Sequence, residues 1–224
     1  MIKIENTEVM GWEAAIRGMR NPMNSWEKGD SVFYGYYSCG LNGNVQVSIG
    51  SDDFDLMTRL RNAGTDHRKF MRMITVYVDI LAPLYWWKEF DTYKVGTVTN
   101  SCSTMHKIAE KEFTLEDFSH EHLERRALNT LKDTVDELNY WREYYLSMKE
   151  QNVVGADKKA KDIWWQMIQL LPSSYNQRRT TMLNYEVLAN IYKSRKNHKL
   201  DEWREFCEWI ENLPYSELIT GNAK

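Results

Sequence analysis

Between Ser119 and Lys149 the apolar residues Leu123, Ala127, Leu131, Val135, Leu138, Tyr145 and Met148 recur every three or four positions. That spacing predicts one long amphipathic helix, and its apolar stripe has to be covered by other elements. The rest of the second half reads the same way. After a break at Gln151–Gly155, Asp157–Leu171 carries Trp164 and Trp165 and is expected to be helical. Leu171-Pro172-Ser173-Ser174 is a turn, and Gln177–Arg195 is expected to form a further helix. Asp201 is a good N-cap for the last helix, in which Trp203, Phe206, Cys207 and Ile210 fall at i, i+3, i+4 and i+7 before Leu213-Pro214 stops it.

The strands belong to the first half. Ile2 and Ile4 alternate within Met1–Glu5 and suit an edge strand, and Met10–Met19 is a short helix ended by Asn21-Pro22. Val32–Tyr37 and Val45–Ile49 read as extended, with Gly40–Asn44 as the turn of a hairpin. Asp53–Asn62 is helical, closed by Ala63-Gly64. In Met71–Leu81, Met73, Thr75, Tyr77 and Asp79 alternate with Ile74, Val76, Val78 and Ile80, the mark of a strand with one buried face. Pro83 then opens a short helix through about Thr92. Strands first and helices after predict an α+β fold. A single domain over residues 1–224 is expected, with a strand-containing part and polar loop at 1–107 and a mainly helical part at 108–224.

Composition excludes several classes of function. The 42% hydrophobic content supports a core, and 29 basic against 32 acidic residues give a charge of −3, which speaks against a nucleic-acid polymer as partner. No apolar run approaches the roughly 20 residues of a membrane span, and Met1–Met10 is no signal peptide. Cys39, Cys102 and Cys207 are scattered and odd in number, as in reduced thiols of a cytoplasmic protein. Trp, Tyr and Phe make up 13% of the chain, enough for a Trp-rich core. Trp86 and Trp87 are expected to be exposed at an interface.

Generic catalytic motifs are missing. There is no Gly-rich phosphate loop after a strand and no Gly-x-Ser-x-Gly. The two histidines of His120-Glu121-His122 do not face one way on a helix, so a solvated helix start is expected and no metal. Cys102, between Ser101 and Ser103, has the chemistry of a nucleophile, but no activating base is identifiable and catalytic residues stay unassigned. The unusual segment is Trp86–Lys94, dense in rings and charges. It leads into Val95–Lys107, where small hydroxyls lie between Lys94 and His106-Lys107. Hydroxyls and exposed N–H groups suit phosphate and nucleobase edges, and they equally suit a plain polar loop.

Ala82-Pro83-Leu84-Tyr85, Lys88-Glu89-Phe90 and this loop resemble the flavin-dependent thymidylate synthases. In that family an Arg-His-Arg triplet is followed by a Ser, an Asn-Glu pair, a Ser and an Arg. Here the triplet falls on Thr92-Tyr93-Lys94 and the first Ser on Thr97. The pair falls on Thr99-Asn100 or Asn100-Ser101, the later Ser on Cys102 or Ser103, and the last Arg on Thr104 or Met105. Leu171-Pro172 resembles the Leu-Pro turn before the family's ligand helix. The two flavin-contacting Asn of that helix match Asn184 and Asn190, and its substrate-binding Arg matches Arg195. The His that follows matches Lys199, with His198 adjacent, and a Trp-Glu pair is resembled at Trp203. An Arg before the Leu-Pro turn is Ile168 here. The resemblance covers residues 70–107 and about the last quarter of the chain.

The resemblance implies a small, mostly antiparallel sheet packed with long helices, and a homotetramer with sites at subunit junctions. It implies FAD as cofactor, with NADPH and methylene-tetrahydrofolate as further candidates, and a pyrimidine nucleotide such as dUMP as substrate for reductive methylation. Tyr93, Lys94, Asn184, Asn190 and His198 would bind the cofactor. Lys88, Glu89, Asn100, Ser101, Ser103, Arg178 and Arg195 would bind the substrate, with Lys107 and Arg179 as further cations. On a single helix, Asn184 and Arg195 lie about three turns apart on a face shared with Leu188 and Ile191. Three functions stay open: a divergent methyltransferase, a flavin- or nucleotide-binding sensor without turnover, and a scaffold of the same fold.

Overall fold

A computed structural model describes residues 2–34, 46–150 and 155–221. In chain order the elements are β1 (Lys3–Met10), α1 (Trp12–Arg20), β2 (Val32–Tyr34), β3 (Gln46–Ser48), α2 (Ser51–Asn62), β4 (Thr75–Pro83) and α3 (Leu84–Phe90). Then follow β5 (Val98–Ser101), α4 (Thr104–Lys107), α5 (Arg125–Glu150), α6 (Ala156–Leu170), β6 (Asn176–Asn184), α7 (Tyr185–Arg195), α8 (Asp201–Glu211) and α9 (Glu217–Thr220). The fold is α+β, with a small antiparallel sheet and a majority of helix. The main sheet has the order β1-β4-β6-β5, and β2 pairs antiparallel with β3. The expected turn at Gly40–Asn44 and the break at Gln151–Val154 lie outside the described residues. The chain clusters into two compact units. One comprises Ile2–Ile80, Asp91–Asn100 and Thr180–Lys224, and the other Leu81–Phe90 and Ser101–Arg179.

In the first unit the alternation of β4 sets the core. Ile74, Val76, Val78 and Ile80 are buried, while Tyr77 faces out. Each buried aliphatic side chain contributes about 1.5–3 kcal/mol relative to exposure. On the other face Asp79 accepts bonds from Asn6 in β1 (2.8 Å) and Thr180 in β6 (2.7 Å), tying three strands together. Helix α1 buries Trp12, Ala15, Ile16 and Met19 as its periodicity requires. It starts at Gly11, whose φ of +92° and approach to the Met73 carbonyl, 2.1 Å from where a Cβ would lie, admit only glycine. Helix α8 buries Trp203, Phe206, Cys207 and Ile210, and its cap residue is Leu200, one position before Asp201.

Two carboxylates organise the start of α2. Asp30 accepts the N–H groups of Asp52 and Asp53 (both 3.0 Å), which holds its own pKa below the usual carboxylate range and satisfies two orphan donors of the helix. Asp53 is fully buried. It accepts bonds from Arg20 Nε (2.6 Å), Ser31 Oγ (2.6 Å) and the N–H groups of Asp30 and Ser31 (3.1 Å each).

In the second unit α5 packs on α6 around Leu131, Val135, Leu138 and Met167, with Ile108, Phe113 and Phe118 completing the cluster. Helix α5 starts at Arg125, six residues later than Ser119. Before it, Phe118 bridges to Tyr175 and the Ser119 N–H donates to the Ser174 carbonyl (2.8 Å), so this stretch runs beside residues 174–176. Leu123 and Ala127 are exposed and add nothing to the stripe. The expected exposure of Trp86 and Trp87 is also wrong. Both are fully buried, because α3 continues straight from the buried end of β4 and stacks Trp86 on Phe90 at 5.1 Å, with Trp87 edge-on to both. The first N–H groups of α3 are satisfied by carbonyls of the Leu-Pro turn region, Leu84 by Tyr175 and Tyr85 by Ser173 (3.0 Å each). Pro83 closes the strand and is not the first helical residue.

Candidate functional site

The stretch Gln177–Arg195 is not one helix. Asn176–Asn184 is strand β6, and only Tyr185–Arg195 is helical. Gln177, Thr181 and Leu183 are buried at strand spacing, and the β-branched pair Thr180-Thr181 favours extended backbone. Asn184 is itself extended (φ −133°, ψ 164°) and caps α7, its Oδ1 accepting the Val187 N–H at 3.0 Å. Asn184 and Arg195 therefore mark the two ends of an eleven-residue helix, about 16 Å apart, and do not share a helical face. Leu188 and Ile191 are fully buried.

The loop at residues 91–97 runs along this helix. At one end Gly96, with φ +80°, sits so close to the cap that a Cβ would lie 2.6 Å from Asn184 Nδ2. At the other end the Tyr93 phenol accepts a bond from Arg195 Nε at 3.0 Å. The Thr97 hydroxyl donates to the Tyr93 carbonyl and closes the loop on itself. The Arg195 guanidinium carbon lies 4.7 Å from the Trp203 ring and 5.7 Å from the Tyr93 ring. Trp203 meets Tyr93 and His198 edge-on at 6.1 and 6.3 Å. His198 donates its own N–H to the Arg195 carbonyl (2.9 Å), and its Nδ1 accepts the Leu200 N–H (3.2 Å). Tyr93, Asn184 and Arg195 thus lie along one loop–helix pair within one unit, and His198 follows three residues after the helix.

The first turn of α7 is pinned by charge. Buried Glu186 accepts bonds from Arg68 (3.3 Å) and Arg72. Burial pushes its carboxyl up, but the two guanidinium groups outweigh this and hold it below the ordinary glutamate value. Asn190 is exposed and its Oδ1 accepts from Arg68 at 3.2 Å. In the helix behind, burial and two nearby glutamates push the Cys207 thiol up to about 12, so it is not a nucleophile at neutral pH.

The other unit carries a separate pocket of about 180 Å³, lined among others by Cys102, Ser103, Thr104, Lys107, Gln177 and Arg178. That volume suits a phosphate group and falls below the roughly 300 Å³ from which ligand sites start. The polar loop is docked there by backbone and side chain: Cys102 N–H donates to the Arg178 carbonyl (3.1 Å) and Gln177 Nε2 to the Cys102 carbonyl (2.9 Å). The Ser103 hydroxyl caps α4 by accepting the His106 N–H (3.2 Å). A bond to Glu110 raises the Lys107 pKa and keeps it charged. The Arg179 guanidinium lies 4.2 Å from the Trp87 ring and its Nε donates to Gln177 (3.0 Å).

The remaining candidates are spread out. Lys88 is exposed and Glu89 half-buried on α3, Lys94 is exposed in the loop, and Asn100 and Ser101 are exposed on β5. Among the described residues no three His, Cys, Asp or Glu side chains are grouped to hold a metal. Gly96 and Gln177 escaped sequence reasoning. A glycine between Val95 and Thr97 was the available signal for the first; the second had none, because its role depends on β6 being a strand.

No protein-family model matches the sequence, and no curated protein matches it. Solved structures do. The chain is similar to thymidylate synthase X (ThyX) from Helicobacter pylori, determined with FAD and dUMP, at 16% identity and a TM-score of 0.63 over 99% of this chain and 98% of that one. It is also similar to a structure of the flavin-dependent thymidylate synthase ThyX from Helicobacter pylori complexed with FAD and dUMP, at 17% identity and a TM-score of 0.61 over 100% and 99% of the two chains. At such identity the likeness is one of fold, and the fold of this chain is ThyX-like along its whole length.

Proposed function

We propose that this protein binds FAD and a pyrimidine deoxynucleotide, dUMP before others, and methylates the pyrimidine reductively. The observation that carries the proposal is the placement of Tyr93, Asn184 and Arg195 along one loop and one helix, with His198 just after the helix, in a chain whose fold is that of proteins crystallised with FAD and dUMP. The donor set fits both ligands: a carboxamide, a guanidinium, an imidazole and the Lys94 ammonium supply hydrogen bonds to phosphate and ring edges, and the aromatic rings supply flat surface. Bound and reduced, FAD would supply a hydride, with NADPH as reductant and methylene-tetrahydrofolate as one-carbon donor.

The chain's own residues orient and polarise. Asn184 and His198, with Asn190 and Lys94, hold the flavin. Arg195 meets the nucleotide with its planar fork. Lys88, Glu89, Asn100, Ser101, Ser103, Lys107 and Arg178 are further candidates for the substrate, each assigned by the resemblance alone. The working form is a homotetramer, and light scattering of the purified protein should return the mass of four chains.

A second reading is binding without turnover. It is favoured by Thr92-Tyr93-Lys94, in which Lys94 is the one fixed cation and, as a compact point charge, cannot reproduce two bidentate guanidinium groups. One experiment separates the two. The protein is incubated with FAD, NADPH, methylene-tetrahydrofolate and dUMP, thymidylate is sought by mass spectrometry, and dUMP binding is measured by calorimetry. Thymidylate supports the synthase, binding without thymidylate supports the sensor, and no dUMP binding removes both and leaves the scaffold.

A further inference from the structure

We infer that Tyr93 is a positioning residue for Arg195: its phenol oxygen sets the direction in which the guanidinium meets the nucleotide. The inference rests on the reading that Arg195 contacts the nucleotide, and it assigns Tyr93 a task other than stacking on flavin. Arg195 is the last residue of α7, where a long side chain has many rotamers. Two contacts remove that freedom. Trp203 is fully buried and forms a fixed floor at 4.7 Å from the guanidinium carbon. The 3.0 Å bond from Nε to the Tyr93 phenol then fixes the rotation of the guanidinium in its plane. Together the ring contact and the bond restrict where both terminal nitrogens point.

Tyr93 can act as an anchor because it is itself held. Its ring stands edge-on to Trp203, its carbonyl accepts the Thr97 hydroxyl, and Gly96 in the same loop lies against the Asn184 cap. A guanidinium ordered before the ligand arrives spares the complex the entropy of ordering it, so losing the anchor should appear as weaker nucleotide binding. The chain distance involved, 102 residues, makes the pairing invisible to any local motif.

The test is a double-mutant cycle on dUMP binding by calorimetry, with Tyr93→Phe, Arg195→Lys and both together, each checked for its melting temperature. Tyr93→Phe keeps the ring and removes the acceptor. It is expected to weaken dUMP about tenfold, the lower end of the worth of one hydrogen bond to a charged donor, while FAD affinity and melting temperature hold. Arg195→Lys should weaken dUMP further, and Tyr93→Phe added to it should change nothing more, because the positioned group is gone. Equal losses from Tyr93→Phe in both backgrounds, or wild-type dUMP affinity in Tyr93→Phe beside a weakened Arg195→Lys, overturn the positioning role and leave the reading of Arg195 intact. A loss of FAD affinity in Tyr93→Phe overturns it in favour of a flavin contact. Wild-type dUMP affinity in Arg195→Lys and Arg195→Ala removes Arg195 from the nucleotide site, and the inference with it.

Discussion

Arg20 and Arg195 end two helices of the same unit, α1 and α7, and are held by opposite kinds of neighbour. Arg20 is 4% exposed and its guanidinium meets Asp53, which is fully buried and further bonded by Ser31 and two backbone N–H groups. Arg195 is half-buried and lies against the rings of Trp203 and Tyr93, with its Nε bonded to the Tyr93 phenol. A carboxylate cancels a guanidinium's charge inside the protein. A ring orients the guanidinium and leaves its formal charge in place. The first arrangement joins α1, the loop at residues 29–31 and α2 into a scaffold. The second holds a half-buried guanidinium against two aromatic side chains, which restricts its direction.

The contrast breaks most visibly at Asp53. Asp53→Ala leaves the Arg20 charge buried beside an empty position and should cost about 3–5 kcal/mol in denaturant unfolding. An unchanged midpoint would show that the pair is no scaffold. Arg195→Ala should do the reverse, weakening dUMP by about 1.5–3 kcal/mol in calorimetry with a melting temperature close to wild type. Unfolding in place of lost affinity would make the two arginines alike. Asn184→Ala removes a helix cap worth about 1 kcal/mol, so the chain should stay folded. Flavin retention should fall in that variant, as read by absorbance after gel filtration. The smallest effect separates the first turn of α7 from its end. Glu186 has a lowered folded pKa, so its contribution is complete above the ordinary value of 4.5 and is lost as pH falls through the folded value. Thermal midpoints should therefore decline on that acid limb in the wild type, and Glu186→Gln should flatten the decline. Identical limbs in both proteins would remove Glu186 from the linkage.

How much of this was legible in the sequence follows from the range of each interaction. The strand β4 and the helix α8 show period-two and i, i+3, i+4, i+7 patterns that survive in the fold, because one face of each is buried. Strand β6 was not legible, since the apolar residues of Gln177–Arg195 fit a helix and the informative signs, Thr180-Thr181 and a capping Asn184, are short. Trp86 and Trp87 are adjacent, so no periodicity decides their exposure; the direct run of β4 into α3 does. At the candidate site the residue types were readable. The Tyr93–Arg195 bond and the approach of Gly96 to Asn184 join segments about 90 to 100 residues apart and could be seen only in the fold.

The most direct measurement is an absorbance spectrum of freshly purified protein before and after titration with FAD, with mass spectrometry of whatever is released on denaturation. A yellow protein that releases FAD, or a colourless one that takes up FAD stoichiometrically, is the expected result. A colourless protein that ignores FAD at tens of micromolar, though fully folded, would contradict the flavin site and with it the proposed reductive methylation.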